Sequence, residues 1–187
     1  CPLAAKHTDW PGARPFRLAA FIGWFSGSIL RAVMIEISVR EALADADRKA
    51  CFAIRIEVFC KEQNISREIE FDGLDDACRH FIALDVDRPV GTARVRSLGD
   101  GFAKFERIAV LRSDRGRKAG KILLETAIRE AARDGYSQAI MHAQKDAKPF
   151  YDKLGFQQEG NGFMEAGIPH IRMARALSSD DDYLFSP

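Results

Sequence analysis

Residues 112–124 read RSDRGRKAGKILL, and in this run Arg112, Arg115, Arg117, Lys118 and Lys121 face a single acid, Asp114. An apolar pattern of helical period begins directly behind Gly116 and Gly120. Free N–H groups and the positive end of a helix dipole therefore converge on the basic turn, which is the chemistry of anion binding. A metal-dependent nucleotide loop of the Walker type separates its glycines by four residues and follows its Lys with Ser or Thr. Here three residues separate the glycines and Ile122 follows Lys121, so the ATP or GTP reading is poor. The alternative to an anion cradle is a solvated basic turn. Other chemistry-bearing types lie nearby: Glu106 beside Arg107, Tyr151 in PFYDKLGF, and His142 and Gln144, which share one face of an alternating strand. Glu165 and His170 occupy the last apolar stretch.

These residues need elements to hold them. MIEISVR alternates as a half-buried strand, and the segment from Leu43 carries helical spacing through Ala50, Ile54 and Val58. NISREIEFDGLDDACR reads as an irregular connection rich in turn formers and acids. HFIALDVD, PVGTARVRSL and FAKFERIAVL then form a meander of three strands. A helix is expected over 117–134, with Ala119, Leu123, Ala127 and Ala131 at i+4 and Gly135 as its stop. SQAIMHAQ is a strand and DAKPFYDKLG a helix with an early proline. FMEAGIPHIRMARAL reads as one final strand bent at Gly167 and Pro169. The order β-α-β-β-β-α-β-α-β implies an α/β (α+β) fold, a mixed sheet flanked by helices.

The 187 residues, 47% of them hydrophobic, suit one domain with a proper core. Twenty-eight basic and 27 acidic residues nearly cancel, so no global field argues for a nucleic acid or an anionic membrane partner. Cys1, Cys51, Cys60 and Cys78 are widely spaced and form neither a zinc pattern nor a disulfide framework; no metal is expected, and idle thiols fit a reducing cytoplasm. Residues 1–33 differ in character, because RPFRLAAFIGWFSGSILRAVM is apolar, flanked by arginines and free of acids. Its apolar run is too short and too broken for a membrane span. Two readings of 1–33 stay open: an upstream extension ahead of a natural start at Met34, able to pack as an extra helix, or a targeting segment. The domain proper is expected at 34–177, with a frayed tail at 178–187.

The strand FERIAVL, the basic glycine-containing turn, the long helix, the next strand and FYDKLGF together resemble the GNAT superfamily of N-acetyltransferases over roughly 34–177. GTARVR, ERIAV, MHAQ and GIPHIRM look more particularly like a small, poorly characterised bacterial subgroup. The resemblance implies a mixed central sheet of six to seven strands flanked by about four helices, and acetyl-CoA as acyl donor, gripped by the Gln/Arg-x-x-Gly-x-Gly/Ala loop. Here that loop is Arg115, Gly116, Arg117, Lys118, Ala119 and Gly120, with Lys121 behind it. Lys118 replaces the first glycine, where a side chain obstructs backbone approach and is strained if φ is positive. By the same resemblance, backbone groups of Ile108, Ala109 and Val110 pair with the pantetheine arm beside a splay or bulge. Glu106 is the candidate for deprotonating an incoming ammonium, Tyr151 for protonating the departing thiolate, and His170 for a further proton transfer. Arg55, Phe59, Glu62 and Gln63 would lie over the acceptor end, with His142, Gln144 and Glu165 lining it.

The implied reaction is direct transfer to a primary amine of a small molecule or peptide, in the cytoplasm, with a homodimer as the candidate assembly. No cysteine has a matched histidine for a covalent acyl-enzyme. The alternative is a catalytically weak acyl-CoA-binding sensor or interaction module, motivated by Lys118.

Overall fold

The computed structural model describes residues 37–181. The expectations for 1–33 and for most of the tail therefore lie outside the described residues. The sheet has seven strands in the order β1-β2-β3-β4-β5-β7-β6. They are β1 (Ile37–Glu41), β2 (Arg79–Asp85), β3 (Arg88–Gly99), β4 (Phe102–Val110), β5 (Gln138–Gln144), β6 (Gln157–Glu165) and β7 (Ile168–Ala176). Only β4 and β5 run parallel; every other neighbouring pair is antiparallel.

The helices are α1 (Asp45–Arg55), α2 (Arg67–Glu70), α3 (Ala119–Arg133) and α4 (Lys148–Asp152). Helix α1 opens with Asp45 and Asp47 and closes with Arg55, in agreement with its dipole. It does not run on as one α-helix. Ile56–Glu62 is π-helical, and its last rung is the Gln63 N–H donating to the Val58 carbonyl at 3.2 Å. Helix α3 buries Ala119, Leu123, Leu124, Ala127, Ile128 and Ala131, the stripe that its sequence period requires. It ends in a Schellman motif: Tyr136 N–H donates to the Ala131 carbonyl and Gly135, at φ 85°, donates to Ala132. The buried stripe packs on Phe81, Val90, Phe105, Met141 and Met173 of the sheet.

Three expectations need correction. The final bent strand is a hairpin, since β6 and β7 pair antiparallel and the chain reverses at Ala166 and Gly167, both at positive φ. Helix α3 begins two residues later than expected, because Lys118 is left-handed and cannot continue into it. The connection after the π-helical segment also contains α2 and a 3-10 turn at Asp75–Ala77.

Candidate active site

The site grows from a fault in the sheet. On β3 and β4, Thr92 pairs with Ala109 and Arg94 with Glu106, so Arg107 and Ile108 together oppose Ala93. This is a β-bulge, with Arg107 at φ 53°. The parallel pairing of β4 with β5 ends at Phe105 and Met141, although the strands continue to Val110 and Gln144. Beyond that point the strands part, and the edge of β4 turned toward β5 has no strand partner.

A cleft of about 270 Å³ fills the gap. Glu106 and Ile108 of β4, His142 and Gln144 of β5, and Tyr151 of α4 line it. The β6–β7 hairpin contributes Glu165 and His170. Phe59 and Gln63 cover it from the π-helical side, where Gln144 Nε2 donates to Gln63 Oε1 at 2.8 Å across the mouth. Ile65, Ile69, Lys104, Arg107 and Ala166 also line the cleft, and sequence reasoning gave them no role there.

Two expected residues are not brought to the cleft. Arg55 is fully buried: it holds Glu70 at 2.6 Å and Asp75 at 2.6 Å, and stacks over Phe71 with 4.7 Å to the ring centroid. Glu62 turns to the basic loop instead, where Arg115 grips both its oxygens at 2.6 and 2.7 Å. Glu106 does line the cleft, but not as a free base or as a partner of Arg107. It accepts from Arg94 at 2.8 Å, lies 2.9 Å from Lys104, and has Arg96 at 3.4 Å. Burial opposes its charge, yet the contacts from Lys104, Arg96 and Arg94 override that and bring its pKa to about 2. Three cations thus occupy the lone pairs that a base would need free.

Tyr151 is the reverse case. Its burial disfavours the phenolate and pushes the pKa up to about 12. The phenol is therefore a proton donor throughout the neutral range. Its ring sits edge-on to Phe150 and Phe156, with centroids 5.1 and 6.2 Å away. His142 Nδ1 lies 2.8 Å from Glu165 Oε2, and its ring meets Phe163 edge-on at 4.9 Å. His170 donates from Nδ1 to the Ile168 carbonyl at 2.8 Å and stacks on the hairpin's Phe163 at 6.1 Å.

At the far end of β4 the basic loop is quieter than its composition suggests. Arg117 binds Asp114 at 2.6 Å and Asp85 at 3.0 Å, Arg115 is held by Glu62, and Lys121 pairs with Glu125 at 3.2 Å. Arg115 Nε also donates to the Val110 carbonyl, which ties the loop to β4. Lys118 is exposed and left-handed, at φ 66° and ψ −1°. Among the described residues it has no ion-pair partner. The first rung of α3 is Ile122 N–H to the Lys118 carbonyl at 3.0 Å, so the N–H groups of Ala119, Gly120 and Lys121 have no acceptor within the helix. These three donors fit a pyrophosphate.

A sheet opened between two parallel strands, beside an anion-ready helix N-terminus, places the molecule among the α/β group-transfer folds. Residues 42–177 match the family described as the acetyltransferase (GNAT) domain, and the chain belongs to that family. It is 41% identical over 128 residues to the uncharacterized N-acetyltransferase YjcF of Bacillus subtilis, covering 68% of this chain and 91% of that protein. The crystal structure of Escherichia coli ElaA superposes with a TM-score of 0.66 at 29% identity, over 76% of this chain and 99% of the other. An acyl-CoA N-acyltransferase structure from Pseudomonas aeruginosa gives a TM-score of 0.66 at 26% identity, over 75% and 99%. The similarity to relatives of this kind fits a poorly characterised bacterial subgroup. No described helix is long and apolar enough to cross a membrane.

Proposed function

We propose that the protein transfers an acetyl group from acetyl-CoA directly to a primary amine of a small molecule or peptide, in the cytoplasm and without a metal. The observation that carries this reading is the coincidence of the β4 bulge, the strand separation after Phe105 and Met141, and a phenol held protonated in the resulting cleft. The open edge at Ile108, Ala109 and Val110 would take the pantetheine arm as an added strand. The N–H groups of Ala119, Gly120 and Lys121, with Arg115, Gly116, Arg117 and Lys118 around them, would hold the pyrophosphate. Tyr151 would give its proton to the departing thiolate, while Phe59 and Gln144 enclose the acceptor.

Calorimetry with acetyl-CoA, followed by thiol release from acetyl-CoA in the presence of an alkylamine, an amino sugar and a lysine peptide, tests the reading. We expect micromolar binding and amine-dependent thiol release. No binding sinks the reading altogether. Binding without release from any amine favours the acyl-CoA sensor, which the left-handed Lys118 motivates.

A further inference from the structure

The cleft needs a group that takes a proton from the amine, and the oxygens of Glu106 are engaged by Arg94, Arg96 and Lys104. An amine is an ammonium at neutral pH and has no lone pair to attack with. We propose that His142 is the catalytic base and that Glu165 is its positioning residue, an inference that rests on the acetyl-transfer reading above.

Five observations converge on the pair. His142 and Glu165 line the cleft that Tyr151 also lines. They lie on different strands, β5 and β6, which are separated in the sheet by β7. Glu165 Oε2 sits 2.8 Å from Nδ1, so the carboxylate fixes the ring proton on Nδ1 and leaves the Nε2 lone pair to work. Nε2 has no partner among the described residues, and the side chain is about one-third exposed. Packing against Phe163 at 4.9 Å limits rotation of the ring.

The charges around the ring have partners of their own. Arg172, its register partner on β7, is neutralised by Glu159 at 2.9 Å. Across the cleft Lys104 is matched by Glu106, and Arg107 by Glu70 and Asp72. The Glu165 carboxylate, half-exposed, is left to face His142 alone. His170 has its Nδ1 proton on a backbone carbonyl, which orients the ring without a carboxylate partner among the described residues.

The step balances as follows. His142 Nε2 takes one proton from the ammonium and later returns it to solvent. The neutral nitrogen attacks the thioester carbonyl carbon and a C–N bond forms. When the tetrahedral centre collapses the C–S bond breaks, Tyr151 gives its proton to the sulfur, and the phenolate recovers one from the nitrogen. Products are the amide, the free thiol and one proton.

The test compares His142→Ala, Glu165→Gln and His170→Ala with the wild type, using thiol release from acetyl-CoA with an alkylamine, an amino sugar and a lysine peptide. His142→Ala should lower kcat/KM at pH 7 by about 10²–10³-fold, and Glu165→Gln by about 10-fold. Binding of acetyl-CoA should stay within about 2-fold. The His142→Ala defect should shrink as the pH approaches the pKa of the amine itself, because the acceptor then arrives neutral, and added imidazole should restore part of the rate. A structural role moves neither readout. A full wild-type rate in His142→Ala with a collapse in His170→Ala overturns the assignment in favour of His170. If the wild type releases no thiol from any amine, the transfer reading falls by itself. Nitrogen-15 NMR of the wild-type rings then decides separately, since the assignment requires the Nδ1–H tautomer of neutral His142 and an Nε2–H ring overturns it.

Discussion

Among the described residues, two of the arginine–carboxylate clusters are built by opposite rules. At the helix α3 loop, Arg88, Arg115 and Arg117 meet Asp85, Asp114 and Glu62 with their own side chains 28–51% exposed. Beneath the cleft, Arg55 and Arg94 are fully buried and join Glu70, Asp72, Asp75 and Glu106. Water can replace a partner in the first cluster and cannot in the second. An exposed guanidinium can therefore exchange a carboxylate for a phosphate, whereas a buried one is part of the frame. The first cluster is suited to ligand exchange and the second to holding the β4 bulge and α2 in place.

Removing a cation from the buried cluster should do most damage. Arg94→Ala removes a buried cation shared by Asp72, Asp75 and Glu106, and unfolding by urea should show a loss of about 3–5 kcal/mol. Arg117→Ala, its exposed counterpart, should lose about 1 kcal/mol or less. Equal losses would erase the distinction. The clusters also predict acid behaviour. Glu106 has a folded pKa of about 2, below the roughly 4.3 of an unfolded glutamate, and burial is overcome by Lys104, Arg96 and Arg94. Asp72 is held well below the ordinary range chiefly by its hydrogen bonds from Arg94. Folded values below unfolded ones mean that this stability is complete above about pH 4.5 and is lost as pH falls toward 2. Thermal unfolding across that window should steepen in the wild type and flatten in Glu106→Gln.

The next largest effect concerns the chemistry that the buried cluster frames. Tyr151→Phe removes a hydroxyl that has no partner among the described residues, so the fold should be unchanged. Turnover should fall about 10²-fold at constant acetyl-CoA affinity, and not vanish, because a thiolate leaves tolerably without a proton. An unchanged kcat would release Tyr151 to a packing role.

The two clusters also differ in how far the sequence revealed them. The loop was legible because its residues are contiguous and a helix start has a local signature. Its field was not, since Glu62 reaches Arg115 from 53 residues away and Asp85 reaches Arg117 from 32. The buried network was invisible for a similar reason. Arg55, Glu70, Arg94 and Glu106 each look like ordinary solvated charges, and only the acids of EFDGLDDA, set against arginines alternating on β3, carried a signal. Strand β6 was missed because QQEGNGFME has two glycines and is exposed along almost its whole length, so no alternation marks it. With β6 hidden, the pairing of His142 with Glu165 could not be read either.

Lys118 tests the loop from within. A left-handed non-glycine residue costs about 1–2 kcal/mol, and glycine recovers it less about 0.4–1 kcal/mol of unfolded-chain entropy. Lys118→Gly should thus raise stability by about 0.5–1 kcal/mol in urea unfolding. That strain exists before anything binds, so its relief alone leaves affinity unchanged. A several-fold gain in acetyl-CoA affinity by calorimetry would report relief of an obstructed backbone approach, and this is the expected result. A loss would show the ammonium acting as a phosphate contact.

Glu62 joins the two regions, and its removal should have the smallest effect. It sits at the end of the π-helical segment, one residue before the Gln63 that bridges to Gln144 over the cleft, and it neutralises Arg115 in the loop. An exposed ion pair of this kind contributes about 0.2–1 kcal/mol, so Glu62→Gln should barely shift the urea midpoint. Acetyl-CoA affinity should instead improve about 2–5-fold at low salt, because Arg115 no longer has to surrender a carboxylate before meeting a phosphate. Screening at about 0.5 M salt should abolish the gain. A gain that survives salt would mean that Glu62 acts through the position of the π-helical segment and the Gln63–Gln144 bridge. The exposed cluster would then be coupled mechanically to the cleft, and charge exchange would not be its main role.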